Sequence, residues 1–189
     1  MPKAQTIAHS LSPEYVVLGL LKLQPSHGYA LHRRLDDELS HVWRVSLSQV
    51  YNVLHRLEKH GHIKPSDIDS SIQQADRVPY RITRTGDRYF ESWMRTPVGP
   101  SVRAIRMAFI TKLYFAHHLG APSLEDLIKR QRSAIETQLE QLDTRFNAIP
   151  RTQVINRLGL QLRIKQLQSL EAWFEETINN IPNTLERET

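Results

Sequence analysis

The chain of 189 residues contains no cysteine, which excludes disulfide bonds, thiolate metal sites and cysteine redox chemistry. It also has no apolar run near the length that a membrane span requires. Its first residues, Met-Pro-Lys-Ala-Gln-Thr, lack the apolar core of a secretion signal. With 40% hydrophobic and 24% charged residues, the composition is that of an ordinary globular protein. We therefore expect a cytoplasmic protein with no membrane partner.

Motifs that carry catalysis are absent as well. The sequence has no Gly-x-Ser-x-Gly turn, no Gly-rich phosphate loop and no His-Glu-x-x-His. His55, His60 and His62 lie close together but span the predicted end of a helix, and no carboxylate or cysteine completes a metal-site spacing. His117 and His118 project about 100° apart on a helix, which prevents them from sharing a metal easily. We expect no enzyme, no cofactor and no metal site.

The charge balance favours an anionic partner. The net charge is +5 and the isoelectric point is near 9.6, which indicates nucleic acid first. Residues 1–100 carry +3 and residues 101–189 carry +2, so neither half is a basic tail. A nucleic-acid surface must therefore be a local patch on a folded module.

Residues 46–60 are the most informative segment. Ser46 and Gln49 have the spacing of a capping box, which predicts that a helix begins after Ser46. Gly61 follows the last periodic residue, where a left-handed C-terminal cap is favoured. At about 100° per residue, the helix has a polar face and an opposite apolar face. The apolar face contains Leu47, Val50, Leu54 and Leu57, with Val53 at its margin.

The segments around this helix complete the order helix, helix, helix, strand, strand, helix. That order is a winged helix-turn-helix, in which two short strands with a polar tip form the wing. We predict a mainly α protein whose N-terminal winged helix-turn-helix, with its two-stranded wing, is a DNA-binding domain over residues 1–97. The linker is Thr96-Pro-Val-Gly-Pro100. The predicted elements cover residues 12–23, 29–39, 46–60, 62–68, 77–82 and 83–94.

The polar face of the third helix has the order that a major-groove helix needs. Short hydrogen-bonding groups come near its N-terminus and cations follow. Gln49 and Asn52 can each pair bidentately with adenine, although Gln49 has a competing role as the capping partner of Ser46. The alternative is an ordinary solvated surface. The residues predicted to contact DNA are Ser46, Ser48, Gln49, Tyr51, Asn52, His55, Arg56 and Lys59, with His27 and Tyr29 of the second helix and Lys64, Arg77 and Tyr80 of the wing.

The second half is predicted to be an all-helical dimerisation and effector-sensing domain over residues 98–189. One helix covers residues 101–119, a second follows Ser123 and is broken by Pro150, and a third runs from about Thr152 to Ile181. The last two have wide apolar stripes, which favours self-association; packing within the chain is the alternative. The predicted dimerisation residues are Leu124, Ile128, Ile135, Leu139, Leu142, Phe146, Leu158, Leu162, Leu167 and Phe174.

Four motifs carry a resemblance to a known family. They are Leu11-Ser-Pro-Glu-Tyr-Val-Val-Leu-Gly-Leu-Leu21, His27-Gly-Tyr-Ala-Leu31, Ser48-Gln-Val-Tyr51 with Leu54-x-x-Leu57-Glu58-x-x-Gly61-x-Ile63, and Tyr80-Arg-Ile-Thr-Arg-Thr-Gly86. In this order and spacing they resemble the PadR family of bacterial transcriptional regulators, over about residues 11–95. The segment Arg103-Ala-Ile-Arg-Met-Ala-Phe-Ile-Thr-Lys-Leu-Tyr-Phe-Ala116, with Leu119-Gly120, resembles the virulence-activator-type C-terminal domain of one branch.

The resemblance implies a homodimer that binds double-stranded DNA at a palindromic operator. It implies a repressor that is released by a small-molecule effector such as a phenolic compound. Trp93, Phe109 and Trp173 are the residues that we expect to line an effector pocket. The alternatives are a winged-helix module that binds another protein and a transcriptional activator without a small-molecule ligand.

Two departures from the family pattern concern DNA contact. Many members have proline after the tyrosine that matches Tyr51, where this chain has Asn52. The wing of the family is rich in basic residues just before the tyrosine that matches Tyr80, and here Arg77 alone remains, followed by Val78 and Pro79. A weaker phosphate contact by the wing is expected, with Lys64, Arg81 and Arg84 as substitutes.

Overall fold

The computed structural model describes residues 11–66, 78–120 and 122–176. The chain divides into two compact units, Met1–Thr96 and Pro97–Thr189. Within the described ranges, no helix is both long enough and apolar enough to cross a membrane. The element order of the first unit confirms the predicted winged helix-turn-helix. Its elements are α1 (Pro13–Leu23), α2 (Gly28–Leu39), α3 (Leu47–Lys59), β1 (Ile63–Pro65), β2 (Tyr80–Ile82) and α4 (Arg84–Arg95).

The core of the first unit is built on α1. Ser12 caps this helix by accepting a hydrogen bond from the backbone N–H of Glu14 (3.3 Å), and Pro13 occupies its first turn. Every residue from Tyr15 to Leu21 is buried, as the apolar run predicts. Burial of each large apolar side chain contributes roughly 1.5–3 kcal/mol. The other helices add Leu31, Leu35 and Leu39 from α2, Val50, Val53, Leu54 and Leu57 from α3, and Phe90, Trp93 and Met94 from α4.

The wing strands are shorter than predicted. The two strands pair antiparallel with Ile63 opposite Ile82 and Pro65 opposite Tyr80. Ser66 donates to the carbonyl of Pro79 (2.7 Å) but lies outside the strand. Pro65 and Pro79 have no N–H to donate, so the ladder loses its donors at this point. Of the residues predicted as strand, 67–68 and 77 lie outside the described part of the chain.

A third segment joins the wing, which the sequence did not indicate. Ser26, in the turn before α2, exchanges two backbone hydrogen bonds with Tyr80: Ser26 N–H to Tyr80 O is 3.1 Å and Tyr80 N–H to Ser26 O is 2.9 Å. Tyr80 therefore pairs with Ser26 on one side and Pro65 on the other. The turn between α1 and α2 is fixed to the wing by this pairing.

Helices are the only regular secondary structure in the described residues of the second unit, as predicted. The segment expected as one helix over 101–119 is continuous but not uniform, because Ile105–Phe109 is wound as a π-helix. Gly120 ends it with φ +68°. Ser123 caps the next helix by accepting from the N–H of Asp126 (3.2 Å). The helices are α5 (Val102–Ala104), α6 (Ile110–Leu119), α7 (Leu124–Ala148) and α8 (Val154–Glu176).

The helices α7 and α8 form an antiparallel hairpin that buries one stripe of each. Pro150 lies in the turn, and Arg157 closes it by donating to the carbonyls of Phe146 (3.0 Å) and Ile149 (2.9 Å). The Arg157 guanidinium also lies 4.1 Å from the centre of the Phe146 ring. The buried stripes are Leu127, Ile128, Gln131, Ile135, Leu139 and Leu142 on α7, and Ile164, Leu167, Leu170 and Phe174 on α8.

Candidate nucleic-acid interface

The N-terminus of α3 is held by the predicted capping box. The hydroxyl of Ser46 accepts from the backbone N–H of Gln49 (3.3 Å), and the N–H of Ser46 donates to Oε1 of Gln49 (2.9 Å). The Gln49 carbonyl oxygen is therefore engaged within the protein. A bidentate contact to adenine uses both ends of the amide, so Gln49 would have to leave the cap to make one.

The C-terminus of α3 is closed by Gly61 at φ +70°. The Gly61 N–H donates to the carbonyl of Glu58 (2.8 Å), and the His62 N–H donates to the carbonyl of Leu57 (2.8 Å). These two bonds form a Schellman motif, which needs a left-handed residue at this position. The glycine predicted to stop the helix does so, and it directs the chain into β1.

The outer face of α3 remains accessible between these caps. Ser48, Asn52, His55 and Lys59 are exposed, whereas Val50, Val53, Leu54 and Leu57 are buried. Of the predicted packing residues, Leu47 is only half-buried. The face thus presents a hydroxyl and an amide in its first half and an imidazole and an ammonium in its second. That order suits base edges followed by phosphates.

Tyr51, at the border of this face, packs against the start of α2. A Cβ built on Gly28 would lie 2.7 Å from the Tyr51 ring, so only glycine permits this approach. His27 caps α2 through Nδ1, which accepts from the N–H of Ala30 (3.2 Å). Tyr29 is exposed beside them. The His-Gly-Tyr motif therefore fixes the start of α2 against α3, and the Tyr29 side chain stays exposed.

Two other predicted contact residues are engaged within the first unit. Arg56 pairs with Glu14 of α1, with Nε 2.9 Å from Oε1. The hydroxyl of Tyr80 bonds to Glu58 of α3, and burial together with this carboxylate raises the pKa of Tyr80. Both residues tie α3 to its neighbours. Lys64 is exposed on β1, and Arg77 lies outside the described residues.

An aromatic stack supports the junction of α3 and the wing. The His62 ring lies 4.6 Å from that of Tyr89 and nearly parallel to it, and Tyr89 stacks on Tyr15, which stacks on Trp93 at 4.8 Å. Burial, reinforced by His60, lowers the pKa of His62. Gly86 packs directly against the carbonyl of His62, in a space that a Cβ would fill.

The predicted effector residues fall in different units. Trp93 is buried in the stack of the first unit. In the second unit, Phe109 packs on Phe174 (5.0 Å between ring centres), and Trp173 meets the same ring edge-on (5.3 Å). Phe109 belongs to the π-helical turn, a feature that is frequent at functional sites.

Three buried polar residues of the second unit, Thr111, Lys112 and Gln131, were missed by the sequence reasoning. Lys112 is 2% exposed on α6, and burial lowers the pKa of its amine to about 7. Gln131 is 1% exposed on α7 and bonds to the backbone of Val98. The one available signal was a polar residue inside an apolar pattern, as in Ile128-x-x-Gln131-x-x-x-Ile135.

Most of the predicted dimerisation residues are covered by their own chain. Leu124 and Phe146 are half-buried, and Leu158 and Leu162 of α8 are exposed. Leu158 and Leu162 share a face of α8 with Val154 and Ile155, and this face is opposite to the stripe of α8 that packs on α7. The members of the predicted set that are buried in the single chain are Ile128, Ile135, Leu139, Leu142, Leu167 and Phe174.

These features define a winged helix-turn-helix protein with a helical C-terminal unit. Family comparisons identify it further. A model described as the transcriptional regulator PadR-like family matches residues 17–92, and one described as virulence activator alpha C-term matches residues 105–181. Residues 17–92 therefore form a domain of the PadR-like family of transcriptional regulators, and residues 105–181 belong to a C-terminal domain of the virulence-activator type. No group of three or more metal-binding side chains occurs among the residues that the structure describes.

Individual relatives are distant. A probable transcriptional regulator of Mycobacterium tuberculosis is 25% identical over 89 residues, which are 47% of this chain and 46% of that protein. The match therefore spans about half the length of this relative. Among solved structures, Bacillus subtilis PadR in complex with operator DNA is 21% identical, over 88% of this chain and 96% of that one, with a TM-score of 0.41. The Vibrio cholerae virulence activator AphA is 20% identical, over 92% and 99%, with a TM-score of 0.40.

Proposed function

We propose that this protein is a sequence-specific DNA-binding transcriptional regulator that acts as a homodimer on a palindromic operator. The outer face of α3 carries the proposal. Its N-terminal cap, its C-terminal glycine cap and its buried opposite face fix the helix, so that Ser48, Asn52, His55 and Lys59 project from a rigid element. In a dimer, two such helices would contact half-sites about one helical turn apart, roughly 34 Å.

Selection of bound sequences from random duplex DNA tests this proposal with the full-length protein. We expect enrichment of a palindrome with half-site centres about 10 base pairs apart. Affinity for that palindrome should fall steeply as salt rises, because cationic side chains displace counterions from phosphates. The proposal would be overturned if the selection enriched no sequence, or if the affinity did not depend on salt.

A matched pair of lysine substitutions sharpens the test. Lys59 is exposed on α3 and Lys129 is exposed on α7 in the other unit. As a phosphate contact, Lys59→Ala should weaken binding to all sequences alike and reduce the salt slope by about one for each equivalent site. Lys129→Ala removes the same charge and should leave the slope unchanged. Equal effects of the two would show that net charge alone drives binding.

We further propose that the protein is a repressor that a small aromatic molecule, such as a phenolic compound, releases from DNA. The ring cluster of Phe109, Trp173 and Phe174 beside the π-helical turn favours a site in the second unit. Trp173 provides the measurement. Phenolic acids should quench the fluorescence of Trp173 and lower the operator affinity together. Trp173→Phe should remove this ligand-dependent quenching. If the ligands change neither quantity, this part of the proposal fails.

A further inference from the structure

The joint between the two units is short because the residues on both sides of it are held by hydrogen bonds. On the side of the first unit, Thr96 ends α4. Its N–H donates to the carbonyl of Trp93 (3.2 Å), and its hydroxyl donates to the carbonyl of Ser92 (2.9 Å). These bonds hold Thr96 to the last turn of the helix.

On the other side, both backbone groups of Val98 bond to one side chain of the second unit. The Val98 N–H donates to Oε1 of Gln131 (2.8 Å), and Nε2 of Gln131 donates to the Val98 carbonyl (3.0 Å). Val98 is 2% exposed and Gln131 is 1% exposed. The amide therefore satisfies both backbone groups of Val98 where water does not reach, and loss of the amide would leave both groups unpaired.

Gln131 occupies a position at which an apolar residue would be expected. It lies on the buried stripe of α7, three residues after Ile128 and four before Ile135. A polar residue in such a stripe costs stability unless its hydrogen bonds are made, and in helical bundles it commonly specifies one arrangement over others. Here the arrangement that it specifies is the path of the linker across α7.

Only Pro97 remains between the two anchors. Its ring fixes φ at about −65° and restricts the preceding residue to extended conformations. Thr96 has such a conformation, with φ −90° and ψ 124°. Few backbone torsions are therefore free at the joint.

We propose that Gln131 is a positioning residue for operator recognition: by fixing Val98 to α7, it limits the spacing of the two half-sites that the dimer accepts. The proposal rests on the function proposed above. Without the Gln131 bonds, the free stretch would extend from Pro97 to Pro100. A longer flexible joint would let each DNA-binding unit find its half-site over a wider range of separations.

The test compares full-length wild type with Gln131→Leu, which keeps the size of the side chain and removes both hydrogen bonds. The control is Gln141→Leu, because Gln141 is exposed on the same helix. Fluorescence anisotropy gives Kd for the selected palindrome, for versions with one to five base pairs inserted between half-sites, and for a single half-site.

Wild type and Gln141→Leu should lose at least about tenfold in affinity on insertion of several base pairs, because the second half-site is no longer reached. Gln131→Leu should lose less than about threefold in operator affinity across the same insertions, and its affinity for a single half-site should equal that of wild type. A Gln131→Leu protein that remains folded and dimeric and keeps the spacing profile of wild type would overturn the proposal.

Two further results keep the test decisive. If Gln131→Leu does not fold, Pro97→Gly replaces it, because Pro97 is exposed and its substitution loosens the joint outside the core. An unchanged spacing profile in that variant overturns the idea of a stiff joint. If the wild type selects no palindrome, the proposed function itself fails. If the wild type has a sharp spacing profile and Gln131→Leu keeps the same profile, only the positioning role of Gln131 fails.

Discussion

At the scale of single residues, two side-chain amides on α3 differ in what already binds them. Gln49 is engaged by the backbone of Ser46, whereas Asn52 is exposed on the outer face of the helix. The two residues have the same functional group and lie three positions apart. They therefore allow a capping role to be separated from a base-reading role.

We expect Asn52→Ala to change operator selectivity and not stability. The free energy of unfolding should stay within about 0.5 kcal/mol of wild type, as for other exposed sites. Discrimination at one base position should fall by about 1–3 kcal/mol, the usual value of a bidentate contact. Competition binding against operators with single base changes measures it. Unaltered selectivity would show that this face reads less sequence than its chemistry suggests.

Gln49→Ala should have the opposite result. Loss of its bond to Ser46 should lower the free energy of unfolding by roughly 0.5–1 kcal/mol, as other cap substitutions do. Affinity should weaken for all operators to the same extent, because the start of α3 frays. Urea unfolding and the same competition series measure both effects. A change of base preference without loss of stability would assign Gln49 to DNA and not to the cap.

His62 gives the stability a dependence on pH. Burial and His60 lower its pKa in the folded protein, and the opposing effect of Glu14 is smaller. Between that lowered pKa and the ordinary value of about 6.5, the unfolded chain binds a proton that the folded chain does not. The contribution of His62 is therefore present in full above about pH 6.5 and is lost as pH falls through this window.

Urea unfolding of wild type and His62→Gln at pH 7.5 and pH 5.5 tests this expectation. The loss of stability on acidification should be smaller in His62→Gln than in wild type. His117→Gln is the control, since His117 is exposed on α6. Equal pH dependence in all three proteins would place the titrating group elsewhere.

At the scale of secondary-structure elements, the junction of α3, wing and α4 depends on close backbone approach. The Thr83 hydroxyl donates to the carbonyl of Gly61 (2.7 Å), and the Thr83 N–H donates to the carbonyl of His62 (2.9 Å). Thr83 also caps α4 by accepting from the N–H of Gly86 (3.1 Å). A side chain at position 86 would meet the His62 carbonyl, which is backbone and has little freedom to move.

Gly86→Ala should therefore destabilise the protein by about 3 kcal/mol, the upper part of the usual range for overpacking. Gly159→Ala is the matched substitution. Gly159 lies inside α8 with nothing within 4 Å of a Cβ, so alanine there should stabilise by up to about 1 kcal/mol through helix propensity. Urea unfolding by circular dichroism measures both. A neutral Gly86→Ala would mean that the junction relaxes freely.

The elements that the sequence predicted correctly depend on local signals. Ser46 and Gly61 cap α3 through hydrogen bonds that span only a few residues, so the sequence alone predicts where this helix begins and ends. The pairing of Ser26 with Tyr80 and of Val98 with Gln131 joins positions that are far apart in the chain. Periodicity does not encode such partners, which is why the third segment of the wing and the linker anchor were missed.

At the scale of the whole molecule, α8 has two apolar faces, of which one is buried and the other is exposed. One face packs on α7, and the other remains open in the single chain. Ile155 is 79% exposed and Leu162 is 62% exposed, with Val154 and Leu158 beside them. A contiguous apolar stripe of this kind is typical of a surface that binds a partner. A second copy of the chain, with two-fold symmetry, would cover the stripe with itself.

The double substitution Leu158→Glu and Leu162→Glu should therefore give a monomer in sedimentation velocity, because like charges would face each other across the interface. Gln141→Glu with Asn147→Glu adds the same charge at exposed sites of α7, and it should remain dimeric. Affinity of the Leu variant for the full palindrome should fall by about 100-fold or more towards that of a single half-site, since the second binding event becomes intermolecular. A monomer that keeps full affinity for the palindrome would show that operator binding does not depend on this stripe.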